Sequence, residues 1–255
     1  MIAEILRVIG RRCFSPSRYL ECLVHERTKG RVHSGPFAGM KFADGVTERL
    51  NLPNLLGTYE KELNPFIEKA CELNFRHIVV VGAADGYYAV GMSLRNPQAQ
   101  VIAFERDSDS QCKLTRMATT NGVQSRIEIR GQCEPKDLQA VLANASRALV
   151  ICDTEGYESA LIDLVRVPAL HRAWILVELH EFVERGIAEK IEKRFAATHN
   201  MSRIWQENRT AADFPFNNLA MRCLPRSYLH WAVNESRPEQ MSWFWMGPRR
   251  INGSD

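Results

Sequence analysis

The chain has 255 residues, 45% of them hydrophobic and 25% charged, with a formal net charge of +3 at pH 7. That is enough apolar material for a large core, and the length fits one α/β domain carrying an additional segment. So mild a charge is not the footprint of a nucleic-acid binder, and the 7 cysteines, with no Cys-x-x-Cys pair, signal neither a zinc site nor a disulfide framework.

At the start of the chain, Ile2, Ile5, Leu6 and Ile9 fall at helical spacing, with Arg7, Arg11 and Arg12 elsewhere on the surface. The run is too short for a transmembrane segment, and no basic region precedes it as in a signal peptide. With the scattered cysteines this makes a reducing cytoplasm the expected location. The helix either packs on the domain or mediates self-association into a homo-oligomer; one short apolar face gives only marginal binding at a membrane surface. From about residue 30 to 54, Gly30, Gly35, Pro36, Gly39, Gly45 and Pro53 argue for turns and short strands, Met40 to Phe42 among them. A helix follows with Leu63, Phe66, Ile67 and Ala70 on one face, starting either at Asn64 with Pro65 or nearer Gly57. Tyr59 and Glu60 stand at its approach within reach of a ligand, with solvated surface the favoured reading for Glu60.

The stretch from His77 to Glu105 organises the rest. Four β-branched residues, Ile78 to Val81, run into Gly82 and read as a buried parallel strand ending in a tight turn. A helical segment follows, and a second strand, Val101 to Phe104, ends at the acidic Glu105. This is one βαβ unit with a nucleotide-type loop at its first turn. Gly82 and Gly86 let the backbone turn and approach a ligand, while Glu105 is placed to accept the hydroxyls of a ribose. A dinucleotide loop would carry Gly-x-Gly-x-x-Gly so that a helix N-terminus holds the pyrophosphate. Here the loop is Gly82-Ala83-Ala84-Asp85-Gly86, followed by Tyr87. Asp85 would repel phosphate but suits the amino group of an amino-acid moiety, so the loop favours S-adenosylmethionine over NAD.

The alternation continues. Asp107 to Asn121 reads as a helix, Arg126 to Ile129 as a third strand, Leu138 to Ala145 as a helix and Ala148 to Cys152 as a fourth strand. A helix around Ser159 to Val165 precedes a fifth strand, Trp174 to Leu179, and then a helix with Ile187, Ile191 and Phe195 on its inner face. Met201 to Gln206 and Ser242 to Met246 supply two more strands. The expected fold is therefore α/β: a doubly wound, Rossmann-like, mostly parallel seven-stranded sheet with helices on both faces. An N-terminal extension covers residues 1–56. The main domain, 57–255, carries a substrate-side insertion near 210–240, where Phe214-Pro215-Phe216 and His230-Trp231 lie.

A second concentration of chemistry sits at the ends of strands four and five. Asp153-Thr-Glu155-Gly156-Tyr-Glu158 follows one, and Glu178-Leu-His180-Glu181 closes the other. Ligands of open α/β sheets bind outside the carboxyl ends of the strands, so Asp153, Glu155, Glu178 and His180 converge on the crevice that the glycine loop borders. Such a set holds a divalent cation, or leaves His180 as a general base; hydrogen-bonded loop caps are the plainer alternative, above all for Glu155 and Glu158.

On these residues the chain resembles the FkbM-type S-adenosylmethionine-dependent methyltransferases over about residues 55 to 185. The Gly57-Thr-Tyr-Glu60 approach, the Gly82 to Gly86 loop and the Asp153-x-Glu155-Gly156-x-Glu158 stretch carry the likeness, the last most specifically. The family's loop often has asparagine where this chain has Asp85, and its Asp-Val-Glu-Gly is here Asp-Thr-Glu-Gly. The resemblance implies class I methyl transfer, commonly to hydroxyls of sugars, glycans or natural products, with the His180 region on the catalytic side.

Methyl transfer needs alignment of the reacting atoms and removal of the acceptor proton. Asp85 and the loop glycines would position the methionine part, Glu105 with Arg106 the ribose side, and Gly131-Gln132-Cys133 the adenine. Asp153 borders both cofactor and acceptor. His180, or a Mg²⁺ or Mn²⁺ ion held by Asp153, Glu178 and His180, would lower the acceptor hydroxyl's pKa. Two other classes remain open from the sequence: an NAD-dependent oxidoreductase, and a noncatalytic cofactor-binding subunit whose insertion contacts a partner.

Overall fold

The computed structural model describes residues 16–43, 52–216 and 224–249. The helix expected around Ile2 to Ile9 lies outside them. By its contacts the chain divides into two compact units, one from Met1–Lys61 with Glu207–Ser236 and one from Glu62–Gln206 with Arg237–Asp255. The sequence places a boundary after residue 56 and an insertion near 210–240; by contacts the first unit runs to Lys61 and takes in Glu207–Ser236.

In the first unit, helix α1 (Pro16–Thr28), α2 (Leu52–Leu56) and α9 (Arg226–Val233) pack together. Leu20, Val24, Leu55, Leu56, Ala232 and Val233 are buried there. Among the described residues the expected Met40 to Phe42 strand is represented by an isolated antiparallel bridge between Lys41 and Arg31. Glu60 is a correction: it is buried, at 2% exposure, not solvated. Its backbone is left-handed (φ 45°) and its N–H donates to Glu235, whose carboxylate also receives Arg209 at 2.8 Å. Arg209 further donates to the Thr58 carbonyl, so this turn is pinned by residues some 150 positions later in the chain.

The second unit is the doubly wound sheet. Its strands are β1 (His77–Val81), β2 (Gln100–Phe104), β3 (Ile127–Arg130), β4 (Ala148–Cys152), β5 (Trp174–Leu179), β6 (His199–Trp205) and β7 (Ser242–Pro248). Their order is β3-β2-β1-β4-β5-β7-β6, with β1 to β5 parallel and β7 antiparallel to both neighbours. The β-branched run that suggested β1 is buried throughout, from Ile78 to Val81, as a central strand of a parallel sheet must be. Alternate residues feed opposite faces. Val79, Val81, Val150 and Val177 join the core under α6 (Pro135–Ala143), α7 (Glu158–Leu161) and α8 (Ile187–Phe195). The other face receives α3 (Asn64–Glu72), α4 (Tyr87–Arg95) and α5 (Ser108–Thr120). Ile187, Ile191 and Phe195 are fully buried, as their spacing requires.

One element departs from its expectation for a local reason. The helix expected over 159–165 is a single turn, because the Asp163 carboxylate accepts from the N–H groups of Val165 and Arg166 and draws the backbone out of the helix. Val165, read as helical, is 89% exposed. Among the described residues no helix is long and apolar enough to cross a membrane.

Candidate functional site

The strand order reverses direction at β1, with β2 on one side and β4 on the other, so the crevice opens at the carboxyl ends of these three strands. β1 ends at Val81 and the chain turns at Gly82 (φ 78°). A Cβ at Gly82 would run into the Asp153 carbonyl, so this glycine is what lets the loops after β1 and β4 close on each other. The loop's own N–H groups are used internally. Those of Gly82 and Ala83 both donate to the Phe104 carbonyl at 3.0 Å, and that of Gly86 donates to the Ala83 carbonyl at 2.9 Å. Ala84, also left-handed (φ 47°), donates to Glu105 Oε2 at 2.8 Å, while Asp107 N–H donates to Glu105 Oε1 at 2.8 Å. The Glu105 carboxylate is thereby fixed in place by backbone donors and keeps a lone pair on each oxygen for a ligand.

A cavity of about 520 Å³ lies over these strand ends. Of the residues expected to meet a nucleotide, Gly82, Ala84, Glu105, Arg106, Gln132, Cys133 and Asp153 line it. Ala83, Asp85, Gly86 and Tyr87 are not among its lining residues. Ala83 is buried, and Gly86 packs against Leu114 of α5. Asp85 turns toward the start of α4, where its carboxyl, pushed up by burial, accepts from the Tyr87 N–H. Cys133 lines the cavity as an inert group, since burial first, then Asp137 and Glu134, push its thiol up to about 12.

The Asp153–Glu158 loop closes the cavity's other side. Glu158 is fully buried and organises that loop: its carboxylate accepts from the N–H and hydroxyl of Thr154, from the Gly156 N–H, and from His180 Nδ1 at 2.8 Å. His180, 1% exposed, turns Nε2 toward Glu155 at 3.3 Å, Asp153 Oδ1 at 3.6 Å and Glu178 at 3.9 Å. Burial alone would lower the imidazole's pKa, but the hydrogen bond and charge of Glu158, with Asp153 and Glu155 behind it, raise it. Conversely, burial pushes Glu158 up and the His180 contact outweighs it, so its carboxyl is held below the ordinary value. Asp153 is raised, burial being the largest cause and His180 opposing it. Its Oδ1 is buried and makes no hydrogen bond.

The structure groups Asp153, Glu155 and His180, each with one ligand atom within 4.8 Å of the others. Glu178, expected in that set, is held by Arg237 at 2.8 Å. Four carboxyl groups thus lie around one imidazole, and Arg237 pairs with one of them, Glu178. Arg237 had no signal in the sequence: it stands 59 residues from Glu178, with no motif joining them. Glu155 and Gly156 hold left-handed conformations in sequence (φ 54° and 110°), a strained turn that aims Glu155 at His180.

The Glu158–His180 pair makes stability pH-dependent in a defined window. The lowered Glu158 contributes in full above 4.5 and loses its contribution as pH falls through its folded value; the raised His180 contributes in full below 6.5 and loses it as pH rises through its folded value. The Tm difference between the wild type and Glu158→Gln is therefore expected to be greatest between about pH 4.5 and 6.5. Melts across pH check this, and a difference that does not vary with pH would show that the pair is not ionised in the fold.

No protein-family model matches the chain, and neither does any curated protein sequence. Solved structures do resemble it. The O-methyltransferase TomG from Streptomyces achromogenes, in complex with SAM, is 12% identical, covering 72% of this chain and 78% of its own, with a TM-score of 0.46. A putative O-methyltransferase from Klebsiella pneumoniae is 11% identical over 96% of each chain, TM-score 0.46. An O-methyltransferase from Bacillus cereus in complex with SAH is 10% identical over 76% of this chain and 85% of its own, TM-score 0.45. At such identities and scores, what the site does is decided by its own residues.

Proposed function

We propose that the cavity binds S-adenosylmethionine and that the protein is a class I methyltransferase acting on a hydroxyl oxygen. The observation that carries this reading is the hydrogen bonding of the Gly82–Gly86 loop. Its N–H groups at Gly82, Ala83, Ala84 and Gly86 are given to Phe104, Ala83 and Glu105, so these four are not offered to a dinucleotide's pyrophosphate. The cavity wall instead presents the carboxylates of Glu105, Asp107, Asp153 and Glu155, which suit a ribose and a cationic sulfonium or ammonium group. The volume falls within the usual range for a small-molecule site, about 300–1,000 Å³.

When bound, S-adenosylmethionine would supply an electrophilic methyl group for the acceptor oxygen, its sulfur keeping the electron pair of the broken carbon–sulfur bond. The chain's own residues do the rest. Glu105 orients the ribose, and the Gly131–Cys133 turn borders the base. Asp153, a carboxylate of raised proton affinity at the inner wall, receives the acceptor's hydroxyl proton, and the His180 imidazolium, anchored by Glu158, steadies the charge. With Nε2 deprotonated, His180 would instead join Asp153 and Glu155 as a donor set that fits a divalent cation of the Mn²⁺ type, and the orphaned Asp153 Oδ1 is a ready ligand atom. Such an ion would lower the hydroxyl's pKa at the same place.

Glu105→Ala removes a charge-assisted hydrogen bond worth about 1.5–3 kcal/mol, so affinity for S-adenosylmethionine is expected to fall roughly tenfold or more. Calorimetry on the folded variant is the check. Undiminished affinity would take Glu105 out of the ribose site.

A further inference from the structure

Three large apolar side chains of the second unit are exposed beside the acidic cluster: Tyr157 at 36%, Phe182 at 38% and Val183 at 52%. They come from the two loops that build the cluster. Tyr157 lines the cavity, and its hydroxyl donates to Glu134 at 2.8 Å, which fixes the ring. Val183 N–H donates to the His180 carbonyl at 2.9 Å, so Phe182 and Val183 sit on the turn that His180 begins. The Phe182 ring meets the His180 imidazole edge-on at 5.6 Å. Val183 packs against the bare backbone of Gly156, where any Cβ would strike its Cγ1. Phe182 and Val183 are therefore placed by contacts with His180 and Gly156, and Tyr157 by Glu134.

We propose that Tyr157, Phe182 and Val183 bind the body of the acceptor, and that the acceptor is a hydroxylated aromatic compound. This rests on the reading of the cavity as a methyl-transfer site and narrows its substrate class. Tyr157 and Asp153 line the cavity while Phe182 and Val183 stand exposed beside it, so a flat aromatic body laid across the three apolar side chains would cover them and set its hydroxyl at Asp153. A pyranose would set hydroxyls against Val183 and the Phe182 ring, where neither side chain offers a hydrogen bond. The phenolic proton passes to Asp153 as the oxygen takes the methyl carbon, so the product is an aryl methyl ether.

The test uses 2-naphthol, whose own fluorescence reports binding without any cofactor, and methyl α-glucoside as competitor. Saturable 2-naphthol binding to the whole protein is expected, weakened about tenfold in Phe182→Ala and in Val183→Ser, and unaffected by the glucoside. Both variants should melt with the wild type, since neither side chain is buried. Absence of saturable binding, equal binding in both variants, or displacement by the glucoside would each overturn the inference. Separate calorimetry with S-adenosylmethionine keeps the parent reading distinct: 2-naphthol binding through Phe182 without cofactor binding would sink methyl transfer and leave the aromatic site standing.

Discussion

Replacing His180 with alanine is expected to lower kcat by about 10²–10⁴-fold while cofactor affinity changes little, because the imidazole acts on the acceptor side of the transition state. The side chain is buried between Glu158 and Asp153, so its loss also strands a carboxylate; the double variant with Glu158→Gln removes that stranded charge and should regain stability without regaining turnover. The alternative chemistries of the cluster separate in one further step. If Asp153 takes the proton unaided, activity is indifferent to a chelator, and its pH profile rises through a value above 3.8 and falls through one above 6.5, as the raised Asp153 and His180 titrate. If a cation held by Asp153, Glu155 and His180 does the work, chelator abolishes activity and added Mn²⁺ or Mg²⁺ restores it. Full activity in His180→Ala would return the cluster to a structural role.

The second large effect is on stability. Gly82→Ala places a Cβ against the Asp153 carbonyl and holds an alanine at φ 78°, so neither the side chain nor the backbone fits without separating the loops after β1 and β4. A cost of about 4 kcal/mol or more follows, which for a chain of this size lowers Tm by roughly 10 °C or more. Gly131→Ala is the control, since nothing lies within 4 Å of its added Cβ and its φ is ordinary. Equal melting of the two variants would mean that the loops have room that the geometry denies them.

Residue pattern alone was sufficient where a signal was local. Four β-branched residues before a glycine located β1, and the bounds of β4 and β5 follow directly from the apolar runs Ala148 to Cys152 and Trp174 to Leu179. The same logic placed Glu105 and Asp153 at strand ends, where the structure has them lining one cavity. What the pattern could not carry was long-range pairing and competition for backbone groups. Arg237 reaches Glu178 across 59 positions, and Glu60 is buried by a turn that Arg209 and Glu235 close from far along the chain. Asp163 looks like an ordinary helix-surface residue until its carboxylate is seen capping Val165 and Arg166. Asp85 reads as a ligand group from its place in a glycine loop, whereas which backbone donor its carboxyl takes, the Tyr87 N–H, has no signal in the sequence.

The central claim is that the cavity at the carboxyl ends of β1, β2 and β4 takes S-adenosylmethionine, and calorimetric titration of the whole protein with S-adenosylmethionine and, separately, with NAD tests it most directly. Saturable one-site binding of S-adenosylmethionine in the range of about 1–100 μM, with no heat from NAD, is the expected result. Saturation by NAD with no binding of S-adenosylmethionine would contradict it.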